Sequence, residues 1–229
     1  VSDAKSAGRV VGVLFLLQGF TAPIANFVLM RPATDLPGFL ANAAANATQV
    51  NMSAILRLVS GVLWIGIAIA ALPVFRRYSE RLALCFLALT AVCLSGLILE
   101  AAGVRSMVAL SEAYANAGRA DAAAFDAAAA VSRSIWTSAH YVNLLLSGVA
   151  LLVMYTTLIR FALIPRALSV LGLLTVGFLI AGALIPLFGH RVQMWMFTPM
   201  GVSQLALVLW LLVRGFAQQP PSPVTAQRE

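Results

Sequence analysis

Apolar positions along this chain fall into six long blocks separated by short polar stretches. The blocks predict spans over residues 9–30, 52–75, 82–107, 134–161, 167–188 and 193–216. About 20 apolar residues in a helix cross a hydrocarbon core of about 30 Å. Only helices and closed barrels satisfy their own backbone in lipid. The two-residue alternation of a barrel strand is absent, so the expected fold is all-α: a polytopic bundle of six transmembrane helices in a single domain. The N-terminal block reads as the first span of the series and not as a cleavable signal, because no small-residue cleavage site follows a short core.

The intervening stretches have their own chemistry. Residues 31–50 form a polar loop in which Asn42, Asn46, Thr48 and Asn51 supply cap and turn chemistry. Residues 111–132 are alanine-rich and too charged to span. They predict a short external helix started by Asp121. The tail, 217–229, carries Pro220, Pro221 and Pro223 and is expected to be disordered and cytoplasmic.

Polar positions inside the blocks carry more information. Glu100 is the only carboxylate within a predicted span. A carboxyl group in hydrocarbon is costly, so it is expected to face the bundle interior with a partner. Arg57, Arg105 and His140 are the candidate partners. Ser53, Arg57, Ser60 and Trp64 recur at helical spacing in the second block. Arg133, Thr137, His140, Leu144 and Ser147 do so in the fourth, with Asn143 at the edge.

Charge sets the expected orientation. The net charge of +7 comes from 14 arginines and one lysine, against 8 acidic residues. Arg76, Arg77 and Arg81 make the clearest basic loop, which should be cytoplasmic. Six spans then place both termini on that side. Basic residues at span ends answer to topology and lipid headgroups, so no nucleic-acid partner is expected. With this orientation Asn26, Glu100 and Arg105 lie late in outward spans. Arg57, His140, Asn143 and Gln193 lie early in inward ones, and His190 sits in the turn between spans five and six. Together they predict a polar pocket facing outward over an apolar floor. Trp136 and Tyr141 are further candidates to line it and stack on a ligand. The plainer expectation for these two, and for Trp64, Tyr155 and Trp195, is an interfacial belt, with Trp195 on the outer side also a candidate to line the pocket.

Several chemistries lack their signatures. Haem held by His140 and His190 is disfavoured, because His140 lies about 10 Å below the surface, at 1.5 Å per residue, while His190 sits in a turn. No cofactor or metal is therefore expected. No Gly-x-Ser-x-Gly elbow is present. Ser60-Gly61, Ser95-Gly96 and Ser147-Gly148 fit small-residue helix packing instead. Cys85 and Cys93 read as apolar packers and not as a disulfide.

The segments YTTLIRFALIPRALSVLG, from Tyr155 to Gly172, and PMGVSQLALVLWLLVRGF, from Pro199 to Phe216, carry a likeness. With the opening GRVVGVLFLL and the loop ANATQV, they resemble a bacterial membrane-protein family catalogued as domain of unknown function 4386. The resemblance implies six spans in a bacterial inner membrane and implies no activity. In that family the closing span commonly carries an acidic residue where this chain has Gln204. Thr90 and Cys93 stand where the third span of the family carries an arginine and an acidic residue.

Three function classes follow. The first is binding, sensing or transport of a small, partly apolar molecule or lipid, anchored by Glu100, Arg57 and His140. The second is an accessory subunit packed on a membrane-protein partner or on a second copy. The third is an enzyme using Glu100 and His140 as an acid–base pair on a lipid-like substrate, which requires the two within hydrogen-bond reach. No convincing repeat relates residues 1–110 to 111–229, which lowers transport relative to binding.

Overall fold

The computed structural model describes residues 2–35, 38–117 and 122–217. Its helices are α1 (Ser2–Pro23), α2 (Arg31–Thr34), α3 (Phe39–Asn42), α4 (Ala47–Arg76), α5 (Glu80–Ala117), α6 (Ala122–Arg160), α7 (Arg166–Leu187) and α8 (Thr198–Arg214). A π-helical segment, Ile24–Leu29, follows α1, and a 3-10 turn, Met194–Met196, precedes α8. No strand occurs among the described residues. Six helical stretches are long and apolar enough to cross a membrane. Lipid contact follows from their outer faces, where Phe20, Val62, Leu174 and Val213 are each more than 60% exposed.

The six long helices form a ring in chain order. Each packs on the next, and α8 closes the ring on α1. Small residues permit the close approaches, as expected where lipid supplies no hydrophobic drive between helices. A Cβ on Gly61 would lie 2.6 Å from a methyl of Leu94, and one on Gly148 would lie 2.6 Å from Ile180. These are the serine–glycine pairs of the sequence, here acting in packing.

Arg76, Arg77, Arg160, Arg166 and Arg214 mark one end of the ring, the basic end. Next to them Phe75, Phe86, Tyr155, Leu158 and Phe216 form a solid core. Gly215 has φ +69°, and its Cα comes so close to Lys5 that a Cβ would lie 2.6 Å from the Lys5 carbonyl oxygen. The amide of Ala217 donates to the carbonyl of Leu163 at 2.8 Å, tying the exit of α8 to the α6–α7 turn.

The opposite end is built differently from the expectation. Residues 111–132 do not form a separate external helix. α5 runs unbroken to Ala117 and α6 begins at Ala122, so the alanine-rich stretch is shared between two continuous helices that project as a hairpin. Alanine has the highest helix propensity, and no breaker follows Met107 to stop α5. The expected helix start, Asp121, lies outside the described residues. Residues 31–50 are also more than a loop. α3 folds against α5, and α2 packs on α3, the π segment and α4, forming a second core of Met30, Phe39, Val104, Met107 and Val108. The Ser111 hydroxyl donates to the carbonyl of Leu40 and accepts from the amide of Ala44, both at 2.8 Å. The Arg133 guanidinium lies 5.8 Å from the ring centre of Phe39.

Two aromatic expectations are corrected. Trp64 is 5% exposed and Tyr155 is fully buried, so neither is a belt residue. Trp64 packs edge-on to Phe15, and the Tyr155 ring lies against Gly172. The Tyr155 ring fills the space that the missing side chain of Gly172 leaves. Trp195, at 61% exposure, keeps a peripheral place.

Candidate functional site

Four helices deliver polar side chains to one level. Counting from the basic end, Asn26, Arg57, Glu100 and His140 each lie about 20 residues along their helices, or about 30 Å at 1.5 Å per residue. That is one hydrocarbon thickness. The group therefore sits between the two apolar cores and near the far interface, not at mid-membrane.

Local structure explains each placement. Pro23 lacks an amide donor, which frees the carbonyl of Gly19. Past it the helix widens, and Met30 donates to the carbonyl of Ala25, five residues back, at 3.1 Å. π segments of this kind recur at functional sites, and this one carries Asn26. Arg57 lies on the buried face of α4 with Ser53, Ser60 and Trp64, spaced as the sequence predicts. Glu100 lies on the buried face of α5, and His140 on the ring-facing side of α6.

The geometry is a branched network. Arg57 Nη1 donates to Glu100 Oε2 at 2.6 Å, and Nη2 donates to Asn26 Oδ1 at 2.6 Å. His140 Nδ1 lies 3.1 Å from the same Oε2. A carboxylate oxygen has no proton to give, so with Glu100 as a carboxylate Nδ1 is the donor in this contact. The Arg57 and Glu100 side chains are 3% and 1% exposed. The Trp136 ring lies 5.7 Å from the Arg57 guanidinium carbon and stacks on His140 at 5.9 Å. Tyr141 meets the other side of the His140 ring edge-on at 5.3 Å.

Beside this network is a cavity of about 180 Å³. Its polar wall includes Gln18, Asn26, Arg57, Glu100, His140 and Asn143. Its apolar wall includes Leu97, Leu144, Leu179 and Met200. Of the sequence candidates, Glu100, Arg57, His140, Asn26 and Asn143 meet here. Trp136 covers the ion pair, and Tyr141 lines the adjoining space. Arg105, His190 and Gln193 are exposed and do not join them. Arg105 follows Glu100 by five residues, which turns it away from the face that Glu100 shares with Arg57. His190 and Gln193 lie in the segment between α7 and α8, outside the ring.

Gln18, Ser60, Ser147 and Gln204 also line the cavity but were not singled out. Their signal was present: Ser60 and Ser147 lie at helical spacing on the polar faces that carry Arg57 and His140, and Gln18 and Gln204 are amides within apolar blocks. Gln18 Nε2 donates to Ser60 Oγ at 3.5 Å, and Ser147 Oγ donates to Cys93 Sγ at 3.7 Å. Cys85 and Cys93 are both free thiols. Among the described residues no three His, Cys, Asp or Glu side chains converge as a metal site.

No curated protein and no solved structure matches the chain. A family-wide profile, described as Domain of unknown function (DUF4386), matches residues 10–215. That range takes in the six long helices apart from the first eight residues of α1, the π segment and every residue that lines the cavity. A helical membrane bundle with this coverage belongs to the DUF4386 family.

Proposed function

We propose that this chain is a multi-pass protein of a bacterial inner membrane, with its basic end cytoplasmic, that binds a small amphiphile or lipid. One observation carries the reading: the cavity of about 180 Å³ is lined by both polar and apolar side chains, and a buried, hydrogen-bonded Arg57–Glu100 pair is among them. Buried charge inside a membrane bundle usually marks a functional path or ligand contact. An apolar cavity of about 150 Å³ is large enough for benzene. The space here suits a headgroup and its first few carbons.

Intact mass spectrometry of protein purified in nanodiscs tests this. The wild type should retain a lipid or small amphiphile, and Gln204→Phe, which fills the cavity, should release it. Bare wild-type protein with the same mass profile as the variant would remove the reading. A co-eluting membrane protein in place of a ligand would favour an accessory subunit.

A second reading is favoured by the 3.1 Å contact between His140 Nδ1 and Glu100 Oε2. The carboxylate orients the imidazole and leaves Nε2 to take a proton from a bound lipid-like substrate. Chemical turnover of a bound lipid, lost in His140→Gln while binding persists, would carry that reading. Recovery of chemically unchanged lipid would eliminate it.

A further inference from the structure

The first and last long helices touch at the basic end and part toward the other. A Cβ on Gly8 would lie 2.4 Å from the amide nitrogen of Phe216, and one on Gly12 would lie 3.1 Å from Leu211 Cβ. Farther along, a Cβ on Gly19 of α1 would meet nothing within 4 Å, and neither would one on Gly201 of α8. Past Pro23 the π segment packs on α4 and α2. A slot of about 300 Å³ occupies the gap, lined by Gly19, Phe27, Tyr141, Phe197 and Gly201. It shares Gln18, Asn26, His140 and Gln204 with the cavity, so the two adjoin across these side chains. Phe20 and Phe27, each 61% exposed on the outer face of this part of the chain, place the slot on the lipid side.

The polar wall behind the slot has unused hydrogen-bonding capacity. Glu100 is fully buried. Its Oε2 serves both Arg57 and His140, while its Oε1 has no partner. Arg57 Nε is buried and also without a partner. One acceptor and one donor are therefore enclosed without a partner on two side chains that line the cavity. Leaving such groups unpaired costs free energy.

We propose that the slot is a lateral portal admitting a single-chain, uncharged, hydroxyl-headed amphiphile from the bilayer. This deepens the binding reading and rests on it. A hydroxyl can donate to Oε1 and accept from Nε; a carboxylate or phosphate head only accepts, and an ammonium head only donates. Arg57 and Glu100 sum to zero formal charge, so a neutral head enters without bringing an unbalanced charge into a buried site. The head occupies the cavity, and the chain lies in the slot against Phe27 and Phe197.

The test uses the full chain in nanodiscs and three probes: monooleoylglycerol, oleate and oleylamine. Affinity is read by titration with intact mass spectrometry. Entry is read by stopped-flow quenching of Trp64, which lines the cavity, by monooleoylglycerol brominated in its chain. Monooleoylglycerol should bind about tenfold tighter than either charged probe, and Glu100→Gln should weaken it about tenfold. The double variant Gly19→Leu/Gly201→Leu grows into open space, so its unfolding midpoint should hold while entry slows about tenfold. Unchanged entry in that variant, with head selectivity intact, overturns the portal and leaves the cavity. A preference for oleate or oleylamine overturns the hydroxyl head. Failure of all three probes to bind the wild type overturns the binding reading itself.

Discussion

Glu100 is held directly by Arg57 of α4 and His140 of α6, and Arg57 is held in turn by Asn26 of the π segment, so removing any one of the three should read out its own cost. Arg57→Met leaves a buried carboxylate without its cation, an arrangement that costs about 3–5 kcal/mol. The double variant Arg57→Met/Glu100→Leu removes both charges and should recover much of that loss. Chemical denaturation in detergent checks the order: wild type, then double variant, then single variant. A single variant as stable as the wild type would show that the pair is not coupled. Asn26→Leu removes only the acceptor for Arg57 Nη2 and should cost about 1.5–3 kcal/mol, as for a hydrogen bond to a charged group. At this scale the sequence was informative. A lone carboxylate in an apolar block must find a partner, and three candidates were in reach. It could not choose among Arg57, Arg105 and His140, because the packing of α4 and α6 on α5 is not written in any one of these helices. The fold engages Arg57 and His140 and leaves Arg105 exposed.

Glycines in α7 separate contact from composition. At Gly172 a Cβ would lie 2.0 Å from Tyr155 Cε1, and that ring is fully buried with nowhere to go. Gly172→Ala should destabilise the protein by about 1–3 kcal/mol or more through overpacking. At Gly177 a Cβ would meet nothing within 4 Å. Gly177→Ala should be neutral or stabilising by about 1 kcal/mol, the helix-propensity difference. Thermal unfolding followed by circular dichroism compares the two, and equal midpoints would refute the packing argument. Helix existence was legible from the apolar blocks, because bilayer thickness fixes their length. Helix ends were not. The alanine-rich stretch was read as an independent helix because its charges exclude it from lipid, yet a helix can continue into water. The cap formed by α2 and α3 was equally hidden. Its stability comes from Phe39, Ser111 and Arg133, which meet only when distant segments pack.

Across the whole molecule, the two ends differ in charge and in build. The basic end is expected in the cytoplasm and the α5–α6 hairpin outside. In a variant with Cys85 and Cys93 replaced by alanine, Ala115→Cys in whole cells should react with a membrane-impermeant maleimide. Ser79→Cys should react only after lysis. The reverse pattern would invert the orientation and turn the cavity level toward the cytoplasmic face.

The sequence by itself determined that this chain forms six apolar helices, that basic residues gather at one end, and that Glu100 is costly enough to need a partner. Those conclusions need only bilayer thickness, backbone satisfaction and the cost of buried charge. The tertiary structure decided the rest: the partners of Glu100, the buried places of Trp64 and Tyr155, the cap, and the sideways slot between α1 and α8. A helix apolar on every side carries no stripe that points inward. Which faces meet is then set by small residues and shape across helices far apart in the chain, and that information is not written in any one of them.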